Sequence, residues 1–308
     1  MAFPYFDAHC DTPVPVHFLN GKLYENRFHL DLKRLSAYAP CAQVFAVCVN
    51  HGPDMVRETE NVIRTFLREL DENRENIRLC RTPAEIAAAN RDGKIAALLS
   101  VEGADRLGDS VEGLHRFFDM GVRIVHITWN DDTTLCGTAL GSKKGLTEKG
   151  RAFVKAAQRM GVALDMSHLS ERGFWDVLEI AEKPVLAGHS NALALCPFPR
   201  NLTDEQFSAL VRTGGAAGLN FCCDFLDLSR DVEAIVAHAE HWLSLGGEKA
   251  VCLGTDFDGI EALPGGIDGV QSMDRLYNAM LHKNWSEALV QDIFYHNLND
   301  FFGRALTV

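Results

Sequence analysis

Near its start the chain carries Tyr5-Phe6-Asp7-Ala8-His9-Cys10-Asp11-Thr12, a short apolar run that ends with a His and an Asp two residues apart. In an extended strand, positions two apart point to the same side. His9 and Asp11 can therefore aim an imidazole and a carboxylate at one metal ion. Read alone, the stretch is more often a half-buried strand with a polar end, because His-x-Asp is a short pattern. The remainder of the chain has to decide.

Working outward, the same unit recurs: a short apolar run, then an amphipathic stretch. The apolar runs after Tyr5–Cys10 are Ala42–Val49, Ile95–Val101, Arg123–Trp129, Val162–Ser167, Pro184–Gly188, Gly215–Phe221 and Ala250–Asp256. Between them, Asp54–Arg74 carries Val56, Ile63, Phe66, Leu67 and Leu70 at helical spacing. Thr82 is placed to cap a helix whose first position is Pro83. Val111–Met120, Thr147–Met160 (closed by Gly161), Ser170–Ala181, Thr203–Thr213 and Val232–Leu245 read as further helices. Two closing helices are expected near Ser272–His282 and Ser286–Phe302. Eight near-continuous apolar strands alternating with helices indicate a parallel sheet covered on both faces. The number and the length favour a closed (β/α)8 TIM-type barrel, with residues 1–308 forming one domain. No glycine-rich phosphate loop follows the first strand, which weighs against dinucleotide binding.

Composition narrows the function. The 308 residues are 47% hydrophobic and 23% charged, an ordinary globular balance. A net charge of −12 argues against a surface that tracks nucleic-acid phosphates. No apolar run approaches the roughly 18 residues of a membrane span, and the first residues lack the pattern of a secretory signal. The nine cysteines contain no CxxC pair. They are expected to be reduced, buried thiols of a cytoplasmic protein.

The ionisable residues cluster by position. His9 and Asp11 end the first strand, Glu102 the third, His168 the fifth, His189 the sixth, and Asp256 and Asp258 the eighth. In a barrel these ends converge on one mouth, where active sites of that fold lie. Three imidazoles with two or three carboxylates form an N/O donor set suited to Zn²⁺ or a related divalent ion. The set exceeds what one tetrahedral ion needs, so two ions are expected, with Glu102 able to bridge them. Paired ions about 3.5–4 Å apart imply metal-assisted hydrolysis.

These motifs resemble the membrane (renal) dipeptidase family, zinc exopeptidases on a (β/α)8 barrel. The resemblance rests on Asp7-Ala8-His9-Cys10-Asp11, Val101-Glu102-Gly103, Asp165-Met166-Ser167-His168, Gly188-His189-Ser190-Asn191-Ala192, Pro199-Arg200-Asn201 and Gly254-Thr255-Asp256-Phe257-Asp258-Gly259. It runs from Phe6 to about Arg304, in matching order and spacing. It implies one zinc on His9, Asp11 and Glu102, and a second on Glu102, His168 and His189. It implies that Arg200 grips the C-terminal carboxylate of a dipeptide, and that Asp256 moves a proton from the attacking water to the leaving amine. It further implies broad side-chain tolerance, including a C-terminal D-residue, and a homodimer as a common assembly. Asp258 reads as structural, holding the loop after the eighth strand.

The chain departs from the family pattern in two places. The secreted mammalian members carry a signal sequence and a lipid-anchor signal, and neither pattern is found here. Where those members place a His after the fourth strand, this chain has Trp129, in Ile127-Thr128-Trp129-Asn130. Trp129 is expected to line the substrate pocket, or to donate its indole N–H to the scissile carbonyl. The nearby His126 lies an odd number of positions away and is expected to face the other way. Two other readings remain open at this point. One is a barrel hydrolase of another amide, lactone or phosphoester. The other is a metal-loaded binding protein without turnover, against which Asp256 argues.

Overall fold

A computed structural model describes residues 3–50, 54–227 and 229–307. Its strands are β1 (Tyr5–Cys10), β2 (Cys41–Val47), β3 (Ile77–Leu79), β4 (Ile95–Val101), β5 (Val122–His126), β6 (Ala163–Asp165), β7 (Leu186–Ser190), β8 (Ala216–Leu219) and β9 (Val251–Leu253). All pairings between them are parallel. Eight strands close a ring in the order β1, β2, β4, β5, β6, β7, β8, β9 and back to β1. This is the (β/α)8 barrel expected from the alternating pattern.

The three-residue strand β3 was not expected. It has one fully buried residue, Ile77, and so carries almost no pattern. It pairs with the first half of β4, Ile77 opposite Ile95 and Leu79 opposite Ala97. β5 then takes over along the second half, Leu99 opposite Val122 and Val101 opposite Val125. β3 therefore fills the part of the β4 edge that the shorter β5 does not reach.

Every residue of the eight ring strands is buried, which is why they read as continuous apolar runs. The helices bury one face each. Met55–Glu72 turns Val62, Ile63, Phe66 and Leu70 inward, with Val56 and Leu67 half-buried. Thr82 accepts a hydrogen bond from Glu85 N, and Pro83 follows it as the first helical residue. Gly161 ends Glu148–Arg159 in a left-handed conformation, φ 73°.

The last expected helix, Ser286–Phe302, is built in three pieces: Glu287–Gln291, a π-helical turn at Asp292–His296, and Asn297–Ala305. Its Tyr295, Leu298, Phe301 and Phe302 pack with Phe6, Leu98, Ile124 and Leu186. The end of the chain thus plugs the lower interior of the barrel and leaves the opposite mouth for chemistry.

Candidate active site

Local irregularities aim the ligand-type residues. Between Asp7 and Cys10, β1 advances three residues while β2 advances two, from Gln43 to Phe45. A second bulge lies between Ala187 and Ser190 of β7 against Ala217 and Leu219 of β8. His9 sits in the first and His189 in the second. A bulge re-aims a side chain at a strand end, and here each re-aims an imidazole. Asp256 and Asp258 take left-handed backbone conformations, φ 60° and 66°, which are uncommon for residues with a Cβ. Gly259 completes that loop; a Cβ there would lie 2.3 Å from Asp11 Oδ2 and 2.4 Å from Asp256 Oδ1.

His9, Asp11, Glu102, His168, His189 and Asp256 meet at the mouth. His9 Nε2 lies 3.3 Å from Asp11 Oδ2, 3.7 Å from Glu102 Oε2 and 3.9 Å from Asp256 Oδ1. Glu102 Oε1 lies 2.8 Å from His168 Nε2 and 3.2 Å from His189 Nε2, and the two Nε2 atoms are 3.0 Å apart. Three acceptor-capable atoms thus converge within 3.2 Å, and Glu102 Oε1 still has no hydrogen bond of good geometry. One proton can serve one such pair, whereas a cation among them serves all three. The donor set therefore fits a divalent metal.

The electrostatics agree. Burial, with the charge of Arg200, pushes the His168 imidazole down to about 3. Burial also holds His189 well below its ordinary value. Both are neutral and present lone pairs, as ligands must. Burial works to raise the Glu102 carboxyl, but the His9 and His168 imidazoles outweigh it and hold it well below the usual carboxylate range. Burial likewise opposes a proton on His9, yet the carboxylates of Glu102, Asp11 and Asp256 lift it to about 10; these three carboxylates draw a proton onto the imidazole, and a metal ion there would displace it.

The other residues singled out in the sequence surround this cluster. Arg200 is 3% exposed, and its Nη2 donates to His189 O at 3.4 Å. Its Nε and Nη1 have no partner. Trp129 lines the same cavity of about 270 Å³, with the Arg106 guanidinium 5.1 Å from its ring centre. Arg106 is itself fixed by Val49 O and the Asp105 carboxylate. Asp258 accepts from Thr12 Oγ1 at 2.6 Å and from His29 N at 2.6 Å, so it ties two loops together.

His126 corrects the sequence reading. It does not face away: it is buried beneath the cluster, its Nδ1 3.7 Å from Glu102 Oε1 and its Nε2 3.5 Å from Asp165 Oδ2. β5 ends at His126, so strand parity does not apply beyond it. From Ile127 to Trp129 the chain is no longer extended, so counting by twos does not carry across. Asn220, also missed, donates to Asp256 Oδ2 at 3.1 Å and to His189 O at 3.3 Å. Its only sequence signal was a polar residue at the end of an apolar run.

Known proteins share the sequence pattern and the fold. The family model for membrane dipeptidase, peptidase family M19, matches residues 1–305. A Klebsiella pneumoniae protein described as an uncharacterized protein in the pqqA 5' region is 33% identical over 234 residues, 72% of this chain and 86% of its own. The solved structure of dipeptidase AC, a metallo peptidase of family M19, is 29% identical with a TM-score of 0.90 over 100% of both chains. A Rhodobacter sphaeroides metallo peptidase, solved with a phosphinate mimic of the dipeptide L-Ala-D-Ala, is 28% identical with a TM-score of 0.89, over 99% of this chain and 100% of its own. A match of that extent, on a barrel whose mouth gathers a metal-type donor set, makes this chain a metallo-dipeptidase that belongs to the membrane dipeptidase family, M19.

Proposed function

We propose that the chain is a two-zinc dipeptidase that cleaves dipeptides with a free C-terminal carboxylate and accepts a D-residue at that end. The observation that carries this reading is the division of Glu102. Its Oε1 faces His168 and His189 at 2.8 and 3.2 Å, while its Oε2 faces His9 at 3.7 Å. One carboxylate thus addresses two ligand sets: His9 with Asp11, and His168 with His189. Two divalent ions held there would supply an activated water and an electrophile for the scissile carbonyl.

The chain's own residues do the rest. Arg200 has two unpartnered nitrogens, Nε and Nη1, and only a 3.4 Å contact from Nη2 to His189 O, so an edge that pairs Nη2 with either of them suits the two oxygens of a substrate carboxylate, which such an edge binds bidentately. Burial raises the Asp256 carboxyl, as befits a group that takes up a proton and returns it to the leaving amine. Asn220 holds its second oxygen and so fixes the orientation of the first. Trp129, with Arg106 over its ring, walls the pocket. The dipeptide mimic bound by the Rhodobacter sphaeroides relative, which ends in a D-residue, supports the proposed tolerance. All nine cysteines are free thiols, which supports a reducing, cytoplasmic setting. No helix among the described residues is long and apolar enough to cross a membrane.

The test is hydrolysis by zinc-loaded protein of a panel of L-L and L-D dipeptides, each as free acid and as C-terminal amide. Cleavage of the free acids, L-D members included, is expected. Turnover of lactones or other amides with no dipeptide cleaved would overturn the proposal.

A further inference from the structure

We propose that Asp165 and His126 are positioning residues that set Glu102, His168 and His189 as one unit, although a ring nitrogen of His126 lies within 4.8 Å of ligand-type atoms of His9, Glu102 and His189. The inference rests on the two-ion reading above and goes beyond it, since it concerns the groups that hold the ligands in place.

Asp165, the last residue of β6, is buried, and its carboxylate collects donors from the turn that follows β6 and from β7. Oδ1 accepts from Ser167 N at 3.0 Å, from Ser167 Oγ at 2.6 Å and from Gly188 N at 3.0 Å. Oδ2 lies 3.1 Å from the same Gly188 N. Ser167 precedes His168, and Gly188 precedes His189. The carboxylate thus grips the residue just before each imidazole. Ser167 Oγ closes the loop by accepting from His189 N at 3.0 Å. Gly188 has to be glycine for this: a Cβ there would lie 2.1 Å from Asp165 Oδ2.

His126 extends the same fastening to Glu102. It stands opposite Asp165 in the β5–β6 register. Its ring lies between Asp165 Oδ2 at 3.5 Å and Glu102 Oε1 at 3.7 Å. Its centroid is 5.3 Å from that of His9 and 5.4 Å from that of His189, so it forms the floor on which those rings rest. Neither ring nitrogen has a hydrogen bond, although the residue is 1% exposed. An apolar side chain would fill that floor without leaving two buried polar atoms unpaired. Imidazole is instead the group that faces a carboxylate on each side, and it limits how far Glu102 can sink. Groups that orient ligands in this way typically contribute 10–100-fold to metal affinity.

The experiment is a Co²⁺ titration of the full chain, followed by visible absorption, for wild type, Asp165→Asn and His126→Phe, with thermal melting of each metal-free protein. His126→Phe keeps a ring and removes both nitrogens. Expected for Asp165→Asn is a loss of about 10–100-fold in the affinity of one Co²⁺ ion, with the other within about threefold of wild type; His126→Phe, which frees the shared Glu102, should weaken both ions by about that factor without lowering the metal-free melting temperature. Wild-type affinities for both ions in folded variants would overturn the proposal. So would an equal loss at both sites that tracks a fall in the metal-free melting temperature. Should Asp165→Asn not fold, Ser167→Ala removes one donor and the link to His189, and must weaken the same ion. Uptake of one ion by wild type would strike the two-ion reading, and the positioning is then judged on that ion's affinity in the variants.

Discussion

The site has two halves that are built differently. His9 and Asp11 leave a single strand two residues apart, and Asp7 stands just before them on that strand. Asp7 accepts from Thr255 N and Oγ1, both at 2.8 Å, and from Gln43 Nε2 at 2.9 Å. It thereby ties β1 to β2 and to the loop that carries Asp256. Glu102, His168 and His189 instead come from three strand ends, and Asp165 joins the last two. Each half thus has a buried carboxylate a few residues ahead of a ligand, fastening the neighbouring strands. The difference is in reach. The first half is local and is aimed by a bulge, whereas the second exists only once the ring has closed.

Removing metal dismantles both halves and gives the largest effect. Exhaustive chelation should abolish dipeptide hydrolysis, and Zn²⁺ should restore it. Full activity in protein shown to contain no metal would end the account of either half.

Asp256 belongs to neither half but touches both, facing His9 at 3.9 Å and sharing Asn220 with His189 O. Asp256→Asn should lower kcat on the order of 10²-fold or more while metal content is retained. A near-normal kcat would remove the proton role. Loss of metal together with activity would make Asp256 a ligand of the first half.

Arg200 leans on the second half through His189 O. If it takes the substrate carboxylate, C-terminal amides should be roughly 10–150-fold poorer substrates than free acids, the worth of a charged hydrogen bond of about 1.5–3 kcal/mol. Equal rates on amides and acids would leave its buried nitrogens without that purpose.

Trp129 lies outside both halves, and its substitution should have the smallest effect. With one ring face given to Arg106, it serves as a wall, so Trp129→Phe should keep kcat within about threefold and change mainly KM and side-chain preference. A loss of about 10²–10³ in kcat would instead show that the indole N–H stabilises the oxyanion.

The same contrast explains what was legible in the sequence. Each of the eight apolar runs overlaps a ring strand, because a strand buried on both faces leaves a continuous hydrophobic signature. His9-x-Asp11 declared itself through spacing alone. The second half was reached only by assuming that strand ends converge, an inference from fold and not from any local pattern. Strand ends were overextended where the following loop stays apolar, as at Ile127 and Phe221, both buried. That overextension concealed His126, whose direction was judged by counting through residues that are no longer extended. Asp165 stood in view within Asp165-Met166-Ser167-His168, but its work is done through Gly188 N, on the next strand. Asn220 was missed for the same reason: its partners are Asp256 and His189, both distant in sequence.

The central claim is that Glu102 divides its two oxygens between two ions. Anomalous diffraction from crystals of the zinc-loaded protein, measured on either side of the zinc edge, tests it directly. The expected result is two peaks about 3.5–4 Å apart, one beside His9 and Asp11 and one beside His168 and His189, with Glu102 between them. A single peak, with both Glu102 oxygens on one ion, would contradict it.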